Sequence, residues 1–396
     1  MDDQRSAIVI ILMKLKEWVA HLQFDESDNL QTFQPLRLTV MGAAGTGKSV
    51  LINTLVTVLR TMFGSNDVVQ VAAPTGTAAF NVGGETLHRL FSIMVDDDFC
   101  SEQALSAKRK RILVSKFQRL VALIIDERSM MGLKLFGSAC ANVKQCAHGS
   151  GHDEEDWGGV PIVMIVGDDF QLPPSFGKGA FDILVRCGGQ SRVEALGAEQ
   201  FLSCATNVIE LQAVKRQQEN QVEFKEFLES ARDSDIDEDA AHTLIDQLSL
   251  HKNTRYSQEE KDEIFKDSLF ISANVAPVAE FNLMRLSREC SADNPVAVMK
   301  SKIVRQSQSG KTHAFPDSVP LSSLMCIGCL VSICGRNFEP KWGLHNGAIG
   351  VVKEIVFKKG ESPLHGDLPL YVVVEFLAYC GPVWDKENPK VSSLLR

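Results

Sequence analysis

The sequence predicts an α/β fold built on doubly wound parallel sheets, and three stretches predict it. Each is a short apolar run that stops abruptly at glycine or acid: Leu36 to Met41 before Gly42, Val121 to Ile125 before Asp126, and Pro161 to Val166 before Gly167. Continuous apolar runs such as Val121 to Ile125 suit strands buried on both faces. Polar residues clustered at their ends suit a ligand edge.

The first run opens into Gly42-Ala43-Ala44-Gly45-Thr46-Gly47-Lys48-Ser49, and Val50 to Met62 follows with helical spacing. Strand, glycine-rich loop and helix form the context of a phosphate-binding loop. Glycines at 42, 45 and 47 let backbone N–H groups of the loop, Thr46 included, face a phosphate oxygen where a Cβ would intrude. The helix start adds roughly half a positive charge. Lys48 has the reach for the β- and γ-phosphates, and the Ser49 hydroxyl is placed to ligate Mg²⁺. The chain is expected to bind a nucleoside triphosphate, ATP, with Mg²⁺.

Its 396 residues allow two or three domains. Apolar content of 44% and charged content of 23% are ordinary for a globular protein, and the net charge of -9 excludes a wholly basic nucleic-acid binder. A local basic groove remains compatible with that charge. The 10 cysteines show no disulfide-framework spacing and read as reduced thiols of an intracellular protein. Cys326, Cys329 and Cys334 include one C-x-x-C with no second pair, so structural cysteines are favoured over zinc, with His345 as the fourth ligand that a zinc site would need. The apolar run Ala7 to Met13 is too short to span a bilayer, and no membrane segment is expected.

Taken in order, Met1 to Ala20 reads as an amphipathic helix with Ile8, Ile11, Leu12, Leu15 and Val19 on one face. Gln4 sits just ahead of it, either reading an adenine edge or simply solvated. Asp25 to Gln34 is a polar connector. Val68 to Ala73 reads as a second strand leading to Pro74-Thr75-Gly76 and, further on, Thr86 and His88. Those groups suit phosphate or sugar contacts, or a tight turn with a surface histidine; spacing leaves both open. Asp96 to Asp98 is an acidic loop. Lys108-Arg109-Lys110-Arg111 lies on a helix, as a solvated face, a nucleic-acid contact or a nuclear-import signal.

Asp126 and Glu127 end the central strand. Asp126 suits Mg²⁺ opposite Ser49, and Glu127 suits a general base on the attacking water. His148, His152 and Asp153 read as loop residues rather than a metal site. Gly167-Asp168-Asp169-Phe170-Gln171-Leu172-Pro173-Pro174 ends another strand, with Gln171 suited to sensing a γ-phosphate. A second α/β domain is read from near residue 190. It has a strand at Asn207 to Leu211, helices near Gln221 to Asp233 and Glu238 to Leu250, a strand at Leu269 to Ser272 and a helix at Ala276 to Glu289. Ser307 to Thr312 mimics a phosphate loop but lacks its leading glycine and a preceding strand. Cys329 to Cys334, Ala348 to Phe357 and Pro369 to Phe376 read as strands of a β-rich end.

The stretches Gly42 to Ser49, Ala73 to His88, Asp126 to Met130, Gly167 to Pro174, Arg216-Gln217 and Gly343 to Gly350, in that order, resemble the petite-integration-frequency (Pif) DNA helicases of superfamily one, close to the forms carried by Helitron transposons. The resemblance runs from about Gln4 to Phe376. It implies a P-loop NTPase with two RecA-like doubly wound parallel-sheet domains, a small wedge insertion and a β-rich C-terminal subdomain. The expected segments are 1–34 (helix and connector), 35–190 (first RecA-like domain, wedge at about 91–118) and 191–396 (second domain, β-rich from about 345). It further implies 5′-to-3′ movement on single-stranded DNA and unwinding at duplex junctions, in DNA repair, recombination or telomere maintenance.

By the same resemblance Pro74, Thr75, Gly76, Thr86 and His88 touch DNA, Arg216 reaches the γ-phosphate, and Asn346 and Gly347 couple nucleotide state to DNA grip. An arginine in that role is worth roughly 10³ to 10⁵ in rate in other phosphate hydrolases. Two departures stand out. Position 128 is Arg where family members usually carry an apolar residue. The family's last motif, with its second cleft arginine, finds no match after Gly350, so the chain reads as truncated or completed by a partner. Two rivals remain: an ATP-binding, single-stranded-DNA-binding remnant with little unwinding, and a small-molecule kinase. The DNA substrate and the basic run point to the nucleus, with the mitochondrion open.

Overall fold

The computed structural model describes residues 2–23, 33–94, 105–146, 155–184, 191–214, 222–233, 237–249, 252, 254–300, 322–335, 337–383 and 391–395. The chain divides into two compact units, Met1–Val222 and Glu223–Arg396.

The first unit opens with α1 (Asp2–Gln23), β1 (Leu36–Gly42) and α2 (Lys48–Phe63). Then come β2 (Val69–Ala73), α3 (Gly76–Asn81), β3 (Glu85–Thr86), α4 (Leu87–Leu90), α5 (Ala107–Phe117) and β4 (Ala122–Ile125). It closes with α6 (Leu133–Lys144), β5 (Ile162–Gly167), α7 (Arg192–Cys204) and β6 (Val208–Leu211). The six strands form one sheet in the order β3-β2-β4-β5-β1-β6, every pair parallel. Parallel register puts the ends of β1, β2, β4 and β5 on a single edge, which is where ligands bind in doubly wound sheets.

Two cores cover the two faces, and the strands feed them by turns. Leu123 and Ile125 of β4, with Val163 and Ile165 of β5, meet Phe117 of α5, Phe136 of α6 and Phe201 of α7. Ala122, Ile124, Ile162, Met164 and Val166 point to the opposite face, against Ile11 and Leu15 of α1 and Leu51, Ile52 and Leu55 of α2. This is the period of two expected of a strand, with both sides apolar.

In β1 the alternation is mixed. Leu36, Leu38 and Val40 enter the second core, while Arg37 and Thr39 lie buried on the other face. Thr39 Oγ1 donates to Cys204 O at 2.9 Å, and Arg37 donates to Val160 O at 3.0 Å and Asp156 O at 2.9 Å. Burial lowers the Arg37 pKa, against the opposing pull of Cys204 and Asp156. These bonds satisfy polar groups that burial would otherwise penalise.

The structure corrects several expectations. Gln4 lies in the first turn of α1, not ahead of the helix. Val19 is exposed, and Trp18 packs against the core in its place, its ring 6.3 Å from that of Phe63. The boundary expected near 190 falls after 222, because α7 covers the first sheet and β6 pairs with β1, Thr39 opposite Val208 through Gly42 opposite Leu211. Helix α5, within the expected wedge, buries Leu113 and Phe117 in the first unit's core.

The second unit contains α8 (Val222–Asp233), α9 (Glu238–Leu248), α10 (Gln258–Asp267) and α11 (Val275–Glu289). Its strands are β7 (Ala297–Lys300), β8 (Ser322–Met325), β9 (Leu330–Ser332), β10 (Ile349–Val356), β11 (Tyr371–Phe376) and β12 (Val391–Leu395). Among the described residues its strand pairs are all antiparallel: β7 with β8, and a sheet in the order β12-β11-β10-β9. Val372, Val374 and Phe376 alternate inward along β11 over Val352 and Ile333. Leu269 to Ser272 forms no strand; Leu269 and Ile271 are exposed, and no strand among the described residues pairs with this run. The pairing of β7 with β8, separated by more than twenty residues, carried no sequence signal of its own.

Candidate active site

The loop after β1 has the backbone that its glycines permit. Gly45 and Gly47 both sit at φ +87°, in the left-handed region that side chains disfavour. A Cβ at Gly42 would come within 2.5 Å of Thr46 Oγ1, and one at Gly47 would collide with Gln4 Nε2. Thr46 is buried, and its hydroxyl donates to Ala43 O at 2.9 Å. Lys48 Nζ bridges the loop, donating to Gly42 O at 2.7 Å and Ala43 O at 3.1 Å. Gln4 reaches back from α1, its Nε2 donating to Thr46 O at 3.1 Å and Gly47 O at 3.4 Å. Gly47 caps α2, whose first residues are Lys48 and Ser49, and Ser49 is exposed at that helix start.

Asp126 stands at the end of β4, 5% exposed. Its Oδ1 accepts from Glu127 N at 2.9 Å. Burial pushes its pKa up to about 6; the Glu127 charge adds to the rise, while the Glu127 amide and the Lys48 charge oppose it. A cation beside it would favour the ionised form. Glu127 has φ 56° and ψ 53°, a left-handed conformation rare for a side-chain-bearing residue. Such strain persists where surrounding contacts over-determine it.

At the end of β5, Asp168 is buried and organises the next turn. Its Oδ1 accepts from Phe170 N at 3.2 Å and its Oδ2 from Gln171 Nε2 at 3.3 Å, while Gln171 N donates to Asp168 O. Gln171 itself is exposed. Sequence reasoning missed how these two strand ends are joined: Arg128, after Glu127, forms an ion pair with Asp169, after Asp168. The available signal was one unpaired charge beside each motif.

A triphosphate fits this donor set. The cradle needs φ values that glycine supplies and has no room for a Cβ at Gly42 or Gly47; a lysine, a hydroxyl and a helix N-terminus stand at its mouth.

The other expected residues are distributed as follows. Thr75 is the N-cap of α3, its Oγ1 accepting from Ala78 N at 3.2 Å, with Pro74 before it and Gly76 buried after it. Thr86 precedes α4, and His88 lies within that helix. Pro74, Thr75 and Gly76 follow β2, Thr86 ends β3 and His88 follows it, on the same edge of the sheet as the loop. In the second unit Asn346 and Gly347 form a turn: Asn346 Oδ1 accepts from Gly335 N, Asn346 N donates to Asn337 Oδ1 at 2.8 Å, and Gly347 has φ +88°. His345 beside them is buried, its Nδ1 3.1 Å from Asn346 O. Cys326 is buried and Cys329 half-buried; desolvation, then their mutual proximity, raises the Cys326 thiol to about 11. Arg216, Gln217, Asp96 to Asp98, His148, His152, Asp153 and Ser307 to Thr312 lie outside the described residues. No helix among the described residues is long and apolar enough to cross a membrane.

Comparison with known proteins bears on this site. The chain is 29% identical over 203 residues to the ATP-dependent DNA helicase RRM3 of Saccharomyces cerevisiae, covering 51% of this chain and 26% of that protein. It spans between 15% and 26% of the length of the first curated relatives it matches. The crystal structure of the Pif1 helicase from Candida albicans shares its fold, with a TM-score of 0.60 and 21% identity over 100% of this chain and 77% of that one. A Bacteroides Pif1 in complex with ADP-AlF3 and single-stranded DNA gives a TM-score of 0.50 at 21% identity, over 96% and 73%. These likenesses establish a RecA-like P-loop NTPase fold. The PIF1-like helicase model matches residues 25–242, more than half the chain, and that span contains the phosphate loop, Asp126-Glu127 and the Asp168–Gln171 turn; the chain belongs to the PIF1-like helicase family.

Proposed function

We propose that this chain is an ATP-dependent DNA helicase that couples ATP hydrolysis to 5′-to-3′ movement along single-stranded DNA. The observation that carries the reading is the shared sheet edge. The Gly42–Ser49 loop follows β1, Asp126-Glu127 follow β4 and Asp168–Gln171 follow β5, in one parallel sheet where β5 lies between β4 and β1. The names of the relatives support the same activity.

In this reading the loop amides and Lys48 bind the phosphates, and Gln4, which donates to the loop at Thr46 and Gly47, reads the adenine edge by hydrogen bonding. Ser49 and Asp126 would hold Mg²⁺, which when bound neutralises charge on the β- and γ-oxygens. Glu127 accepts the proton of the attacking water at a carboxylate oxygen, and Gln171 orients that water or the γ-phosphate. Arg216 takes the arginine-finger role. Pro74, Thr75, Gly76, Thr86 and His88 contact the DNA backbone from the first domain, and Asn346 and Gly347 respond to nucleotide state from the second. Single-stranded DNA and duplex junctions are the partners, and the exposed basic stretch of α5 supports a nuclear location.

Phosphate release is measured with and without single-stranded DNA, beside Lys48→Ala. Stimulation of at least about tenfold by DNA, abolished by Lys48→Ala, is expected. Tight nucleotide and DNA binding with no stimulated release would make the chain a binding remnant. Turnover unaffected by Lys48→Ala would remove the active-site assignment.

A further inference from the structure

The two strand ends that carry the proposed chemistry are joined by one ion pair. Arg128 follows Glu127 at the end of β4, and Asp169 follows Asp168 at the end of β5. Arg128 Nη1 donates to Asp169 Oδ2, with the side chains only 11% and 15% exposed. The same guanidinium lies 3.6 Å from Met41 Sδ, the residue before Gly42, and its Cζ is 5.6 Å from the centre of the Phe201 ring on α7. The backbone is equally close. A Cβ at Gly167 would come within 2.7 Å of Arg128 N, so glycine there lets β5 lie flush against the turn after Glu127.

This pair is poorly suited to stability alone. Arg128 Nε and Asp169 Oδ1 are buried with no hydrogen-bond partner among the described residues. An incompletely satisfied, desolvated pair is often no better than apolar side chains of the same size. What distinguishes it is its neighbours. One residue upstream on one side is Glu127, held at φ 56°; one residue upstream on the other is Asp168, whose Oδ2 accepts from Gln171 Nε2.

We propose that Arg128 and Asp169 are positioning residues: their ion pair clamps the turn after β4 to the turn after β5, holding Glu127 and Gln171 in one mutual register over the phosphate loop. The inference rests on the ATPase reading above. A displacement of about 1 Å between such groups slows chemistry without changing how tightly nucleotide binds.

In the full chain, Arg128→Met, Asp169→Leu and the double variant are compared with wild type. The readouts are DNA-stimulated kcat, KM for ATP and the Kd of a fluorescent ADP analogue. Each single variant is expected to lower kcat about tenfold with KM and Kd within about twofold, and the double variant to lose no more than the worse single. Arg128→Lys, which keeps a point charge, is expected to recover part of the loss. Should a single variant fail to fold, the double variant, Arg128→Lys and Asp169→Glu carry the same comparison.

Unchanged kcat in the singles, effects that multiply in the double, or kcat and nucleotide affinity falling together would overturn the clamp. Wild-type turnover with unaffected variants removes this inference alone. A wild type that neither binds the ADP analogue nor releases phosphate removes the ATPase reading and the clamp together.

Discussion

Glu127 is the residue at which strain and proposed chemistry coincide. Its left-handed backbone is disfavoured by a Cβ, by roughly 1 kcal/mol or more. Comparing Glu127→Gly with Glu127→Ala isolates that term, because both remove the carboxylate and only glycine tolerates φ 56° freely. The glycine variant is expected to be more stable than the alanine variant by about 1 kcal/mol in urea titration, with both slow in phosphate release. Equal stabilities would show that the strain is absent in solution. The candidate residues of this site were legible because each is local to a motif: glycine spacing, a lysine and hydroxyl at a helix start, acids at the ends of apolar runs. Arg128 was legible only as an oddity, since its partner lies 41 positions away.

Between elements, α6 and α7 meet backbone to backbone at their glycines. A Cβ at Gly137 would collide with Val193 O and lie within 2.9 Å of Gly197 N, and one at Gly197 would collide with Leu133 O. Two backbones in direct contact cannot yield as side chains do. Alanine improves helix propensity by about 1 kcal/mol, but overpacking costs about 1–3 kcal/mol in adaptable cores and more here. Gly137→Ala is therefore expected to lose about 2 kcal/mol net, read as a lower urea midpoint with unchanged slope. A stabilised variant would mean that the helices sit further apart. The strands β1, β2, β4 and β5 and the helices α1, α2 and α11 follow the apolar patterns that predicted them, within a few residues at their ends. Leu269 to Ser272 did not, because a short apolar run states its preference for burial but not whether a neighbouring strand exists.

For the whole molecule, the position of the domain boundary has a direct test. A fragment ending at Val222 keeps α7 and β6, and with them Phe201, Cys204 and Leu211 in the first unit's two cores. A fragment ending at residue 190, the boundary suggested by sequence, lacks all three. The longer fragment is expected to unfold cooperatively and to bind the fluorescent ADP analogue; the shorter is expected to do neither. Leu211 supports the nucleotide loop directly, since a Cβ at Gly42 would come within 3.1 Å of its side chain. Cooperative unfolding of the shorter fragment would return the boundary to 190.

Amino-acid order alone determined the phosphate loop, the acids and polar turns that end three strands, and the α/β class, because each depends on neighbours within about twenty residues. Only the tertiary structure decided that Val208–Leu211 pairs with β1 rather than opening a second domain, and that Arg128 meets Asp169. The reason is physical: an apolar run encodes that it will be buried, and a charge that it needs a partner, but which strand or counter-ion answers is fixed by how the whole sheet closes.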